Sequence, residues 1–154
     1  MILGETALRV LRTVHVLAAI LFLGNVIVTG VWSALFFRRR AEVEFRHAAR
    51  AIVITDWLFT VGGAILLVAT GLTIAIGRGY PIFGTRWIRD AVIGLAISTC
   101  IWVIVLLPAQ RALVRGEARD DATLSRLYNR WNGAGAIAVL PLLYSLWCMT
   151  YKPA

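Results

Sequence analysis

The sequence predicts an all-α polytopic membrane protein: one domain, residues 1–154, that forms a bundle of four transmembrane helices with both termini on the outer side. Four apolar blocks cover approximately residues 13–37, 51–77, 87–108 and 131–151. Most charges lie between the blocks, and hydrophobic residues make up 60% of the chain. Each block has about 20 residues or more, the helix length that crosses a hydrocarbon core roughly 30 Å thick. Too few residues remain for a separate soluble domain.

The first two blocks have recognisable ends. Three arginines, Arg38 to Arg40, follow the first block and predict that its helix ends at the membrane surface. Residues 41–50 pair opposite charges at helical spacing, as in Glu42 and Arg46, so we expect the second helix to begin outside the membrane. Two glycines and a proline within residues 77–81 predict the end of the second helix.

The third and fourth blocks each contain a proline. Pro108 closes the third block, and we expect the third helix to stop there. The loop 109–130 has charges of both signs and is predicted to be helical at its two ends. Pro141 lies inside the fourth block, where it predicts a kink.

The basic residues predict the orientation of the bundle. Ten of the sixteen lysines and arginines lie in the first and third loops, and six lie at the termini and in the second loop. The positive-inside rule puts the richer side in the cytoplasm, which leaves both termini outside. This distribution accounts for the net charge of +8 without a nucleic-acid partner.

Aromatic residues near the block ends predict interfacial belts. Tyr80, Trp87, Trp147 and Tyr151 fall at the outer ends of the blocks. Tyr128 and Trp131 fall at the inner end of the fourth block, where we expect them at the inner interface.

A polar side chain inside a bilayer is costly and is therefore a candidate for function. His15 and Asn25 lie in the first block, Asp56 in the second and Asp90 at the outer edge of the third. At 100° per residue, Asp56 shares one face of its helix with four other residues: Thr60, Gly63, Leu67 and Thr70. We expect Asn25, Asp56 and Asp90 to be buried polar groups.

The predicted depths decide which polar groups can meet. Asp56 lies near the cytoplasmic side, roughly 20 Å from His15 along the membrane normal, and these two side chains are not expected to pair. A basic or hydrogen-bonding partner for Asp56 is expected from the cytoplasmic helix ends, with Arg50, Arg130 and Asn132 as the candidates.

His15 has the predicted depth of Asp90, Cys148 and Met149. Imidazole beside a thioether or thiol can hold haem iron or copper. His15 and Met149 are the candidate ligands of haem b, and His15, Cys148 and Met149 those of copper or another metal. Asp90 could accept a hydrogen bond from the second ring nitrogen. Two alternatives stay open for His15: a proton carrier, and a structural residue that hydrogen-bonds a neighbouring helix.

Several segments of the chain form a recognisable pattern: Leu11 to Ile20 with Gly24-Asn25 and Trp32, the string Thr55-Asp56-Trp57-Leu58-Phe59-Thr60, Leu106 to Gln110, Trp131 with Gly133, Leu140-Pro141, and Tyr151-Lys152-Pro153. This pattern resembles the bacterial membrane-protein family known as domain of unknown function 2269. The resemblance covers nearly the whole chain and implies no activity. His15 with the apolar, glycine-containing stretch after it is also similar to the haem-binding protoporphyrinogen oxidases of bacteria and to the copper-resistance D proteins.

The sequence contains no nucleotide-binding loop, catalytic serine motif or zinc motif, and it assigns no reaction. The leading hypothesis is a small protein of the bacterial inner membrane with a polar intramembrane site around His15. This site would bind haem or a metal, or relay protons or electrons. The alternative is a non-catalytic subunit or scaffold of a membrane complex, or a small permeation unit. We expect contact with the lipid bilayer, and either a homo-oligomer or a membrane partner.

Overall fold

The computed structural model describes residues 4–118 and 120–153, and all regular structure in these two ranges is helical. The elements are α1 (Glu5–Arg38), α2 (Phe45–Thr55), a first π-helical segment (Asp56–Val61), α3 (Gly62–Gly77), α4 (Arg86–Ile101), a second π-helical segment (Trp102–Leu106), α5 (Leu107–Arg115) and α6 (Asp121–Tyr151). Arg119, one of the ten basic residues on the richer side, lies outside the described residues.

Four continuous helices are long and apolar enough to cross a membrane: Glu5–Arg38, Phe45–Gly77, Arg86–Arg115 and Asp121–Tyr151. The second joins α2, the first π segment and α3, and the third joins α4, the second π segment and α5. The predicted all-helical fold with four membrane-spanning helices is confirmed. The helices also extend past the apolar blocks, so that residues 45–50 form the expected extension of the second helix.

The third helix does not stop at Pro108, and the prediction that it would was wrong. Proline lacks an N–H donor, and its ring collides with the carbonyl one turn earlier in a regular α-helix. Here the π-helical segment Trp102–Leu106 immediately precedes the proline. Its wider turn accommodates the proline ring, and the helix continues to Arg115. Gly116, with a φ of 69°, ends it in the left-handed region that glycine adopts freely.

The helices pack in a ring. The first contacts the second through α1 and α3, the third contacts the fourth through α4 and α6, and α1 also contacts α6. The second and third helices meet through α2 and α5, whereas no Cα atom of α3 lies within 8 Å of one in α4 among the described residues. We call the end where α1 ends, α2 begins and α5 ends the basic end. The bundle is therefore closed at the basic end and open between α3 and α4 at the other.

The main hydrophobic core lies at the basic end. Its buried residues come from α2, α5 and α6: Phe45, Ala49, Ile52, Ala109, Leu113, Tyr128 and Trp131. The Tyr128 ring stacks on that of Phe37, with 3.7 Å between the ring centroids. Tyr128 and Trp131 are each 6% exposed, so the prediction that they form an interfacial belt was wrong. Both rings belong to the same buried cluster as Ala109 and Leu113, which lie on α5 beyond Pro108.

Candidate functional site

Asp56 is a buried carboxyl group inside the second membrane-spanning helix, and 7% of the residue is exposed. It begins the first π-helical segment, at the junction with α2. Thr60, four residues later in the same segment, is also buried and faces the same way. π-helical segments are rare and often occur at functional sites, because the extra residue per turn redirects side chains and backbone groups.

Three side chains donate hydrogen bonds to the Asp56 carboxylate. Gln110 Nε2 lies 2.6 Å from Oδ2, Asn25 Nδ2 lies 3.0 Å from Oδ1, and Thr60 Oγ1 lies 3.4 Å from Oδ1. Asn25 Nδ2 is also 2.9 Å from Thr60 Oγ1. These four residues, which we call the Asp56 site, join the first, second and third membrane-spanning helices by side-chain hydrogen bonds.

Every donor in the Asp56 site is electrically neutral. No lysine, arginine or histidine forms a salt bridge with Asp56 in the part of the chain that the structure describes. The partner is thus a hydrogen-bonding side chain, Gln110, and not one of the candidates Arg50, Arg130 and Asn132. An ionised carboxylate here would keep its charge in a low-dielectric region, with only hydrogen bonds to stabilise it.

Gln110 was missed by the sequence analysis because the third helix was expected to end at Pro108. With the helix continued, Ala109, Gln110 and Leu113 all lie on the buried face of α5. A glutamine between apolar residues on that face was the available signal. Gln110 is 4% exposed, and its amide nitrogen faces Asp56.

His15 lies half-buried against α3, apart from the Asp56 site. Its Nδ1 is 3.0 Å from the backbone oxygen of Leu67 and 3.0 Å from Oγ1 of Thr70. Because a carbonyl oxygen can only accept a hydrogen bond, Nδ1 carries a hydrogen. Nε2 is therefore the ring nitrogen at which a proton can be gained or lost. The ring packs on Gly71, where a Cβ atom would come within 2.9 Å of His15 Cε1. We call His15, Thr70 and the Leu67 carbonyl the His15 site.

The structure does not join His15 to Asp90 by a hydrogen bond. Asp90, on α4, is partly exposed and lies 3.1 Å from an Arg89 nitrogen and 3.8 Å from an Arg86 nitrogen. No Cα atom of α1 lies within 8 Å of one in α4. The expectation that Asp90 would orient the His15 ring was wrong, because the Leu67 carbonyl and Thr70 take that role.

The residues predicted to complete a metal or haem site lie on α6. Cys148 is fully buried there and Met149 is partly buried. The described residues contain no group of three or more histidine, cysteine, aspartate or glutamate side chains that could hold a metal ion. The cofactor prediction for His15, Cys148 and Met149 stays a prediction.

The two polar sites lie on one seam, the contact between α1 and the second membrane-spanning helix. His15 and Asn25 are ten residues apart, which is about 15 Å along α1. Between them Phe22 packs on Gly63, where a Cβ atom would lie 3.1 Å from Phe22 Cβ. Phe22 is 7% exposed. The seam is therefore polar at two levels and tightly packed and apolar between them.

Comparison with known proteins identifies the family of the chain. The family described as "Predicted integral membrane protein (DUF2269)" matches residues 9–153. No curated protein and no solved structure matches the chain. The match includes all residues of the Asp56 and His15 sites.

Proposed function

Because the chain belongs to the predicted integral membrane protein family DUF2269, we propose that it is a small membrane protein in which Asp56 binds and releases protons within the bilayer. The observation that carries the proposal is the combination of burial and neutral partners at Asp56. Three hydrogen-bond donors stabilise the ionised form of the Asp56 carboxyl group. Protonation, in turn, removes the free-energy cost of a buried charge that no cation neutralises. Both forms are therefore accessible to it.

His15 would act as the second proton-exchanging group on the same seam. Its Nδ1 is held by the Leu67 carbonyl and Thr70 of α3, which leaves Nε2 as the ring nitrogen that would bind and release a proton. The Phe22–Gly63 contact separates it from Asp56, so that transfer between the two sites would require Phe22 to move or water to enter. We propose the inner membrane of a bacterium as the location, because the family that the sequence resembles is bacterial.

The test is proton transfer by the purified protein in liposomes that contain a pH-sensitive dye, under an imposed membrane potential. Wild-type protein is expected to acidify or alkalinise the lumen according to the sign of the potential, and Asp56→Asn is expected not to do so. Asp90→Asn is the matched control, because it makes the same chemical change at an ion-paired carboxyl group. Equal rates for wild type, Asp56→Asn and empty liposomes would contradict the proposal.

A second function is favoured by the apolar contact between the two sites. Phe22 on Gly63 interrupts the polar seam, and each polar group on either side already has a hydrogen-bond partner. This favours a non-catalytic subunit or scaffold, whose polar groups only fix helix positions and whose exposed apolar faces contact lipid, a second copy or a membrane partner. An infrared band of a protonated carboxylic acid that is lost in Asp56→Asn would favour the proton-binding function over this one.

Haem or metal binding at His15 has the anchored Nδ1 in its favour, since ligating histidines often donate their other ring nitrogen to a carbonyl. A visible spectrum and a metal analysis of protein expressed with haem and copper supplied test it. A Soret band or stoichiometric copper that His15→Ala removes would support this cofactor function, and its absence in wild type would contradict it.

A further inference from the structure

A small cavity opens at the basic end, between α2 with the start of the first π segment and α5. Its volume is about 130 Å³. The residues that line it include Val53, Trp57, Leu107, Gln110, Arg111 and Arg115. It lies on the outside of the bundle, directly next to the Asp56 site, because Gln110 both lines the cavity and donates to Asp56.

The lining is apolar on the side of the membrane interior and basic on the side of the aqueous phase. Leu107, Arg111 and Arg115 follow one another at four-residue spacing, so they form a single row along α5. This row begins at the last residues of the third apolar block and ends at the last residue of the helix. Trp57, which is 53% exposed, faces the cavity beside Leu107. The cavity therefore crosses the boundary between hydrocarbon and water.

The two guanidinium groups are available to a ligand. Arg111 forms no hydrogen bond or ion pair with any described residue. Arg115 has only a long ion-pair contact of 3.7 Å with Glu117, and the side chains of Arg115 and Glu117 are both largely exposed. Asp56, the nearest buried carboxylate, is screened by Gln110, which lies between it and the cavity. The cavity thus presents the unpaired positive charge of Arg111 and that of Arg115, whose 3.7 Å contact with Glu117 is exposed to solvent.

We propose that this cavity binds one anionic phospholipid. The phosphate lies between Arg111 and Arg115, whose guanidinium groups can donate two hydrogen bonds each to phosphate oxygens. The first part of an acyl chain lies against Leu107 and Trp57. Basic pockets between transmembrane helices bind anionic lipid headgroups. An indole at the interface presents an apolar ring to the acyl chain and a polar N–H to the headgroup region. The volume accommodates a phosphate with adjoining carbons, while the rest of the lipid remains in the bilayer.

The experiment is native mass spectrometry of the full-length protein in a neutral detergent, titrated with phosphatidylglycerol and, separately, with phosphatidylcholine. Wild type is expected to bind one phosphatidylglycerol in preference to phosphatidylcholine. Arg111→Gln with Arg115→Gln should weaken that binding by about 25-fold, since each basic residue near an anionic headgroup contributes a factor of roughly five. Val53→Phe, which fills the cavity and keeps both arginines, should also remove the bound lipid.

The matched control is Arg126→Gln with Arg130→Gln, which removes two arginines with the same spacing, at the same end, from α6. This variant should bind phosphatidylglycerol like wild type. Equal binding by all variants would overturn the proposal. So would displacement of the lipid by an equal concentration of inorganic phosphate, because the cavity would then be an anion site without an acyl-chain component.

Discussion

Asn25 Nδ2 lies 3.0 Å from Asp56 Oδ1, so that a side chain of the first membrane-spanning helix donates to a buried carboxylate of the second. The same nitrogen is 2.9 Å from Thr60 Oγ1. One amide therefore joins the first helix to both polar residues of the first π segment. Loss of this amide would leave Asp56 with Gln110 as its only close donor.

We predict that Asn25→Ala destabilises the bundle by about 1–2 kcal/mol, the range for interhelical hydrogen bonds and for bonds to charged groups. Reversible unfolding in mixed detergent micelles measures this. Thr29→Ala is the matched control, because the Thr29 hydroxyl bonds only to carbonyls of its own helix, those of Asn25 and Val26. Equal effects of the two substitutions would show that the Asn25–Asp56 bond contributes nothing to stability.

Gly71→Ala is predicted to displace the His15 ring. The added methyl group would lie 2.9 Å from His15 Cε1, which is closer than carbon atoms approach without a shift. Moving the ring breaks its bonds to Leu67 and Thr70, and overpacking of this kind costs about 1–3 kcal/mol. The measurements are stability and the nitrogen chemical shifts of the His15 ring.

The control for this prediction is Gly24→Ala, since a Cβ at Gly24 meets nothing within 4 Å. It is expected to be neutral or to stabilise the helix by up to about 1 kcal/mol through the higher helix propensity of alanine. His15→Ala should reduce the cost of Gly71→Ala, because the group that collides is then gone. Additive effects of the two changes would contradict the contact.

The fold and half of the Asp56 site follow from the sequence by simple geometry. Apolar blocks of the right length predicted the four spanning helices, and the 100° spacing put Asp56, Thr60, Gly63, Leu67 and Thr70 on one face. Leu67 is partly exposed, and the other four residues are buried. This succeeded because burial of small and polar residues against α1 depends mainly on helical periodicity.

The other half depends on tertiary structure that local patterns do not encode. Both π segments consist of residues that are also compatible with an α-helix, so their sequences alone do not predict the wider turn. We attribute the wider turn to packing against neighbouring helices and, in the second segment, also to the ring of Pro108, which a regular α-helical turn does not accommodate. Continuation past Pro108 then brings Gln110 to Asp56. Helix–helix packing also buries Tyr128 in the core, whereas position alone predicted an interfacial residue.

Acid should weaken the start of α6 through Asp120. Thr123 donates to the Asp120 carboxylate from its backbone N–H at 2.7 Å and from its hydroxyl at 3.0 Å, and these bonds lower the pKa of Asp120 below its ordinary 3.8. A lowered folded-state pKa means that the stabilisation is complete above pH 3.8 and is lost as the pH falls through the lower folded-state value.

Asp120→Asn is the comparison for this prediction, because asparagine also caps helices but does not titrate. The difference in melting temperature between wild type and Asp120→Asn is expected to stay constant above about pH 5 and to shrink in more acidic buffer. Other carboxyl groups titrate alike in both proteins and cancel in the difference. A difference that does not change down to pH 3 would exclude a titrating cap.

The last prediction is that the basic end faces the cytoplasm. Ten of the sixteen basic residues lie in the two loops next to this end and in the helix ends that flank them, and the positive-inside rule favours retention of such segments. A reporter inserted after Glu117 should give the signal of a cytoplasmic location, and a reporter fused to the carboxyl terminus should give the signal of an external location.

The bidentate contact of Arg40 with Asp121, at 2.7 and 3.0 Å, joins the end of the first helix to the start of the fourth on this side, so the two loops must have the same location. Reporters that gave opposite locations for the loops after Arg38 and Arg115 would contradict the fold. The reverse of the expected pattern at both reporters would keep the fold and put the phospholipid cavity in the outer leaflet.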